Sequence, residues 1–391
     1  MRVCLDLSVL RTRPTGVGYY GLFLGKALLE NFPQAQKYLA FDGLRFSRLQ
    51  GFINRYERQS ALKTEISHSL WEATAPVPML RGAWRRLKGF AFSRGASACD
   101  LVHSITYAPP VRGATAWLPV IHDLSHLRFP QFHPAERIRW LTAHDAALGE
   151  AVLINTVSEF SKNEIVSLLG IAPDRIRITY PGTDPAFALP PSEEGARILS
   201  RYGLKAGRFL LSVATINPRK NLGTIAAAFA QLPQTIRDET VLVFAGQSGW
   251  ERVEFSKAAT RLRERGEIGF IGYVPTDHLR ALYHNTSLFL FPSHYEGFGI
   301  PVAEAHLAGA PVAIAKGAGA REAACGLALE IAVTDVDGWS QAMREALGSE
   351  AWRDENARAA RTAAAKQFTW RRNAQLTFDI YAEIARQHHA G

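Results

Sequence analysis

The sequence predicts an α/β protein of two doubly wound domains, and three observations carry that prediction. Short apolar runs of strand length alternate with helical patterns along the whole chain, as in parallel sheets wrapped by helices. At 391 residues the chain exceeds one ordinary core, so two domains are expected. The strings Tyr180-Pro-Gly-Thr-Asp-Pro and Leu189-Pro-Pro-Ser-Glu-Glu gather turn residues ahead of a helical pattern and mark the break.

The elements follow in order. In the first half the strand-like runs are residues 3–9, 38–41, 101–103, 117–121 and 152–157. In the second half the alternation is cleaner, with runs at 209–214, 241–245, 268–271, 288–291 and 311–314. Near-continuous apolar stretches of this kind suit strands buried on both faces, with ligands at their carboxyl ends. An alanine-rich segment at 358–365 reads as a surface helix, and a helical run from Trp370 to Gln387 ends the pattern.

Composition narrows the class. Hydrophobic residues at 47% against 21% charged describe a soluble globular chain and exclude a disordered one. No stretch approaches the roughly 20 uninterrupted apolar residues of a membrane span. The N-terminal MRVCLDLSVLRT carries Asp6 inside its apolar run and reads as a first strand, not a signal peptide. Cys4, Cys99 and Cys325 have no metal-ligand spacing, so packing roles in a reducing cytoplasm are expected.

The net charge of +9 is concentrated. Residues 1–120 hold 16 Lys and Arg against 7 Asp and Glu, which accounts for the whole excess. Within residues 43–95 ten basic residues face three acidic ones, interleaved with Phe46, Phe52, Trp84 and Phe90. Amphipathic helices on an anionic membrane surface would look like this, and so would a solvated basic face over a core. Nucleic acid is not the expected partner, since no binding module accompanies the charge.

Two glycine loops carry the chemistry. Thr15-Gly-Val-Gly-Tyr-Tyr-Gly21 is a literal G-x-G-x-x-G, and Asp42 follows at the distance of a ribose-binding acid. Residues 8–15 separate these glycines from the preceding strand, whereas the dinucleotide fingerprint turns immediately after it. A glycine loop opening a helix toward a phosphate is the favoured reading, with dinucleotide binding and a plain turn as alternatives. The second loop lies in HYEGFGIPVAEAHLAG, residues 294–309. Pro301 suits a first helical turn and Gly309 a helix stop. The N–H groups of residues 297–300 then sit at a helix N-terminus, where anions bind. Glu296 and Glu304 could face one cleft and accept bonds from sugar hydroxyls; alone, the pair would be read as helix-start charge. Asn217-Pro-Arg-Lys-Asn-Leu222 follows another strand and offers Arg219 and Lys220 to a diphosphate. Gly272, Tyr273 and Val274, after the 268–271 run, are read as a base-holding loop or a structural one.

Along nearly all of its length the chain resembles the retaining glycosyltransferases of family 4, which have the two-Rossmann GT-B fold. The markers are Gly16-Val-Gly18, Ile121-His-Asp-Leu124, Val157-Ser-Glu-Phe-Ser-Lys162, Tyr180-Pro-Gly-Thr-Asp184, Pro218-Arg-Lys-Asn-Leu222, Phe270-Ile-Gly-Tyr-Val274 and Pro292-Ser-His-Tyr-Glu-Gly-Phe-Gly-Ile-Pro301, and the pair Glu296 and Glu304 matches the E-x7-E signature. The resemblance implies an acceptor-binding domain at 1–185 and a nucleotide-sugar-binding domain at 186–369, facing across a cleft. Residues 370–391 would pack back on the first domain. It implies that Glu304 holds the ribose diol and Glu296 the donor sugar, with Phe298, Gly299 and Ile300 lining sugar and phosphates. Arg219 and Lys220 would neutralise the leaving diphosphate, Gly16 or Gly18 would approach it from the other domain, and His122 would stand at the transferred sugar. Many relatives carry an arginine where this chain has Thr215, so Thr215 is a candidate on the donor side and Arg219 is expected to serve for the arginine it replaces.

The implied reaction needs no cofactor and no metal. Retention would come from same-face attack, with positioned cations and amides stabilising the leaving diphosphate. The Pro-Arg-Lys-Asn variant resembles bacterial mannosyltransferases of surface-polysaccharide assembly, so GDP-mannose leads as donor over a UDP-sugar. The acceptor would be a lipid-linked saccharide, and the enzyme cytoplasmic and peripheral on the inner face of the membrane. The alternatives are an NAD-dependent oxidoreductase using residues 16–21 and a non-catalytic membrane-associated partner.

Overall fold

A computed structural model of the chain describes residues 1–11, 16–34, 37–42, 45–63, 99–106, 116–190, 194–247, 249, 253–317 and 319–390. Most of the basic 43–95 stretch, from residue 64 on, therefore lies outside the described residues.

Two sheets organise them. The first has the order β3-β2-β1-β4-β5-β6-β7, built from Phe46–Arg48, Lys37–Phe41, Arg2–Asp6, Leu101–Ser104, Ala116–Ile121, Ile154–Thr156 and Ile176–Ile178. All its pairings are parallel except β2 with the edge strand β3. The second has the order β10-β9-β8-β11-β12-β13, from Ile268–Gly272, Val241–Ala245, Phe209–Val213, Leu288–Phe291, Val312–Ala315 and Leu329–Ile331, and is wholly parallel. In both the strand order reverses at the centre, between β1 and β4 and between β8 and β11. Ligands bind at such switch points, outside the carboxyl ends of the strands.

Strand periodicity explains the layers of the second sheet. Leu210, Leu242, Phe244, Leu288, Leu290 and Ala313 face one apolar cluster with the helices Leu222–Ala230 and Val336–Gly348. Their neighbours Phe209, Leu211, Val243, Phe289, Phe291 and Val312 face another with the helix Ile300–Ala308. Each large apolar side chain contributes about 1.5–3 kcal/mol on burial, which is why these runs read as unbroken apolar stretches.

The first strand is shorter than the 3–9 run. Asp6 ends it by accepting the Ser8 N–H at 3.0 Å, and Ser8–Arg11 turns as a 3-10 helix. β3, β7 and β13 span three residues each, too few for an alternation pattern to reveal. The final helix, Trp370–Ala390, lies against the first sheet's helix Gly16–Asn31. Trp370 stacks on Phe23 and Phe378 on Phe32 at ring separations of 5.5 and 4.4 Å. Tyr381 meets buried His103 at 2.7 Å, and Glu383 pairs with Arg177.

The first glycine motif proves to be part of a helix. Gly16, Gly18 and Gly21 all lie within Gly16–Asn31, and none has positive φ. A Cβ at Gly21 would fall 2.0 Å from Ile105 Cδ1, so this glycine lets the helix pack on the sheet. Asp42 accepts the Arg45 N–H at 2.8 Å and closes the β2–β3 turn. Neither glycines nor acid stand as a dinucleotide fingerprint requires.

Candidate active site

The site is assembled at the carboxyl ends of β8 and β11 by two loops tied to each other. After β8 the turn Pro218–Lys220 precedes Asn221, which takes a left-handed φ of 53°. Its side-chain Nδ2 donates to the carbonyls of Pro292 at 3.2 Å and Val333 at 2.8 Å. His294 N–H donates to the Arg219 carbonyl at 3.0 Å. Gly299, at φ 100°, then leads into the helix Ile300–Ala308, with Pro301 in its first turn and Gly309, at φ 82°, closing it.

Four charged side chains meet here, largely buried. The Lys220 ammonium donates to Glu296 Oε1. Arg219 Nη1 donates to the Tyr295 carbonyl at 2.6 Å and lies 3.6 Å from Glu296 Oε2. From the other domain Asp123, just beyond β5, brings Oδ2 to 3.9 Å of Arg219 Nη1. Its Oδ1 accepts the Ser125 N–H at 3.1 Å and hydroxyl at 2.8 Å. Two cations thus balance two carboxylates, which is what makes burial of the group tolerable.

The pairing sets the protonation states. Burial raises the Asp123 carboxyl, but Arg219, the Ser125 bonds and Lys220 outweigh it and hold it at about 2. Burial likewise raises Glu296, and Lys220 and Arg219 bring it below the ordinary carboxylate value. Burial lowers Lys220 despite Glu296. His122, next to Asp123, is lowered by burial over the opposing pull of its bond to Ile105 and of Asp123. Its Nε2 lies 2.9 Å from the Ile105 carbonyl, an acceptor only, so Nε2 carries the proton and Nδ1 is left as an acceptor. The Tyr20 ring meets the imidazole edge-on at 5.0 Å.

At the other end of the cleft stands Glu304. Tyr283 donates its hydroxyl to Glu304 Oε2 at 3.2 Å. Burial pushes the Glu304 carboxyl up to about 8, with Tyr283 opposing and Asp184 adding to the rise. Near it Tyr19 and Tyr273 bring their hydroxyls within 3.3 Å of each other, one from each domain. Gly272 takes φ 68° at the end of β10, leaving Tyr273 half exposed and Val274 buried.

The structure therefore brings His122, Arg219, Lys220 and Glu296 together, with Glu304, Gly272, Tyr273 and Val274 at the second end. It places three expected residues differently. The Phe298 side chain is buried against Tyr180 and Phe368, at ring separations of 6.1 and 5.1 Å, so it lines the core and not the cleft. Thr215 is exposed, its carbonyl accepting from Asn217 Nδ2 at 3.1 Å, and it makes no contact with the charged cluster among the described residues. Gly18 is buried within its helix, while Gly16 is exposed at the helix start with open space where a Cβ would point. Asp123 and Tyr19 enter the site without having been expected there. Each is adjacent to a candidate, Asp123 to His122 and Tyr19 to Gly18, and that adjacency is the one signal that could have found them.

Comparison with known proteins decides the family. Residues 50–187 match the model described as Glycosyltransferase Family 4, and residues 201–367 match Glycosyl transferases group 1. The O-antigen chain mannosyltransferase B of Escherichia coli is 30% identical over 392 residues, covering 97% of this chain and 99% of that protein. The chain belongs to the family 4 glycosyltransferases. Solved structures agree with this glycosyltransferase in fold. Sucrose-phosphate synthase from Thermosynechococcus elongatus superposes with a TM-score of 0.73 at 17% identity, over 99% of this chain and 100% of that one. Anabaena HepE in complex with UDP-glucose gives 0.70 at 16% identity, over 98% and 100%. The glycosyltransferase accordingly has the GT-B fold, two Rossmann-like domains facing across a cleft. Among the described residues no helix is long and apolar enough to cross a membrane.

Proposed function

We propose that this glycosyltransferase moves a hexose from a nucleoside-diphosphate sugar to a lipid-linked saccharide with retention of anomeric configuration, in bacterial surface-polysaccharide assembly. Mannose from GDP-mannose is the leading donor, and a UDP-sugar the alternative. The observation that carries the reading is the buried cluster of Arg219, Lys220, Glu296 and Asp123 beside His122, placed where two domains meet. Similarity over nearly full length to a protein named an O-antigen chain mannosyltransferase supports the sugar and the setting.

In this reading domain 1–185 receives the acceptor, domain 186–369 holds the donor, and the terminal helix belongs with the first. Lys220 and Arg219 take the diphosphate, which displaces their carboxylate partners. The N–H groups of residues 297–300, at the N-terminus of Ile300–Ala308, add to that stabilisation. Glu296 is freed to accept bonds from the donor sugar, and His122 Nδ1 accepts another. As the sugar–phosphate bond breaks, the acceptor hydroxyl attacks from the same face and gives its proton to a departing phosphate oxygen. Glu304 accepts from the ribose diol, and Gly272, Tyr273 and Val274 hold the base. No residue acts as a covalent nucleophile, and the chemistry requires no metal. The basic 43–95 stretch would hold the enzyme to the anionic inner face of the cytoplasmic membrane, where a lipid-linked acceptor lies.

A thermal-shift panel of GDP-, UDP- and dTDP-sugars tests the donor, because a ligand that binds only the folded state raises Tm. GDP-mannose is expected to give the largest rise, with proton NMR of the product showing the α configuration of the donor retained. A larger rise with another base, or an inverted product, refutes the donor or the stereochemistry respectively.

A further inference from the structure

The helix Glu159–Leu169 follows β6 of the first sheet, yet its N-terminus is completed from across the cleft. Ser158 caps it locally, Oγ accepting the Ser161 N–H at 2.9 Å. The N–H groups of Glu159 and Phe160 have no acceptor within the helix, as the opening donors of any helix do not. Both donate to the carboxylate of Glu322, at 2.9 and 2.7 Å. Glu322 stands between β12 and β13 of the second sheet. A carboxylate is favoured at the positive end of a helix, and charge-assisted bonds of this kind are among the stronger ones.

The same segment braces the glycine loop. Gly319 N–H donates to the Glu296 carbonyl at 3.0 Å, and a Cβ at position 319 would fall 2.5 Å from the Gly297 oxygen. That oxygen accepts the hydroxyls of Ser158 at 2.5 Å and Ser161 at 3.1 Å. Ser161 also lies 3.3 Å from the His122 carbonyl. A Cβ at Gly297 would collide with that carbonyl, so the two domains touch here main chain to main chain. The contacts close a ring that runs from Glu322 through the helix start, Ser158 and Ser161 to Gly297 and Gly319, and back. Glu296 and His122 both hang on it.

We propose that Glu322 is a positioning residue that clasps the two domains together and so sets Glu296 against His122 for transfer. It touches no reacting atom. Opening the cleft would pull its carboxylate off the helix and return two N–H groups to water, so the clasp favours the closed arrangement. The carboxylate faces the two main-chain donors and Tyr180, and it stands apart from the charge cluster that handles the diphosphate. The clasp rests on Glu296 serving the donor sugar only in its effect on turnover, and not in its effect on closure.

Glu322→Gln keeps the shape but removes the charge and one of the two acceptor oxygens. Hydrogen exchange of the full chain, followed by mass spectrometry, reads closure without substrate. Exchange is expected to speed up about tenfold, the loss of one charge-assisted bond, in peptides covering 158–162 and 294–299, with the remaining helices and Tm unchanged. Unaltered exchange at 158–162, or faster exchange through both sheets, overturns the clasp. Turnover of GDP-mannose and UDP-glucose is the second readout, with kcat expected to fall about tenfold while donor KM stays within about twofold. A Ser158→Ala, Glu322→Gln double variant should lose less than the sum of the single losses, because both act through one ring, and full additivity would count against it. If the wild-type protein turns over neither donor, the donor assignment fails while the exchange result still decides the clasp.

Discussion

The two ends of the cleft hold one glutamate each, eight residues apart on the same loop and helix, and their surroundings drive them in opposite directions. Glu296 is buried but flanked by Lys220 and Arg219, and it is held charged. Among the described residues Glu304 is offered a phenol by Tyr283 and no cation, and burial pushes it up to about 8. Partners, more than depth, decide the charge of a buried carboxyl. The first end stores compensated charge that an entering diphosphate can take over. The second stores a carboxyl whose ionised form gains most when hydroxyl donors arrive.

Removing the cation should separate the two ends most sharply. Lys220→Ala leaves Glu296 without its closest partner and would leave the diphosphate with one of its two cations. Turnover is expected to fall by about a hundredfold or more, the cost typical of losing a donor to developing negative charge. Steady-state kinetics would show this mainly in kcat, and an unchanged kcat would break the assignment of this end to the leaving group.

Glu304→Ala should act at the other end and on the other constant. Loss of a charged hydrogen-bonding group toward the ribose should weaken nucleotide binding by about ten- to a hundredfold in calorimetry. Turnover at saturating donor is expected to change far less. Unchanged nucleotide affinity would remove the ribose role from Glu304.

The third contrast is in stability. A carboxyl raised in the folded state stabilises fully below its unfolded value and loses that contribution as pH climbs through the folded one. Wild-type stability should therefore decline between about pH 4.5 and pH 8 on account of Glu304. Glu304→Gln removes this decline, so its Tm should exceed that of the wild type by several degrees at pH 8, with little difference at pH 5. Equal melting curves at both pH values would mean that Glu304 is not raised. Tyr19→Phe should give the smallest effect. The hydroxyl contact with Tyr273 is partly exposed, so nucleotide affinity should drop only about two- to fivefold, as for one modest hydrogen bond.

What was legible in the sequence follows the range of the forces involved. Pro301, Gly299 and Gly309 announced the helix at 300–308 because proline fixes its own φ at a helical value while glycine is free to take the positive φ that bounds a helix. The apolar runs announced most of the strands because burial on both faces leaves few polar positions. The turn at 218–220 announced its cations by the sequence itself. Contacts between domains carried no local mark. Nothing near Asp123 says that it will meet Arg219, and nothing near Tyr19 says that it will meet Tyr273. Phe298 misled for the opposite reason: a loop can offer its main chain to a cleft while its side chain packs into the core, and the residue type does not say which. The literal G-x-G-x-x-G opens a helix, as its distance from the preceding strand led us to expect, and it does not form the turn directly after a strand that the dinucleotide alternative required.

The central claim is that one nucleotide sugar spans both ends, with Glu304 ionised when the ribose is bound. Calorimetry of GDP-mannose, or of UDP-glucose should that donor bind instead, between pH 6 and pH 8 tests it most directly, since neither diester titrates in that range. The wild-type affinity should rise with pH and binding should release a proton, whereas Glu304→Gln should bind weakly and with no pH dependence. A flat profile in the wild type, or the same slope in the variant, would contradict the account.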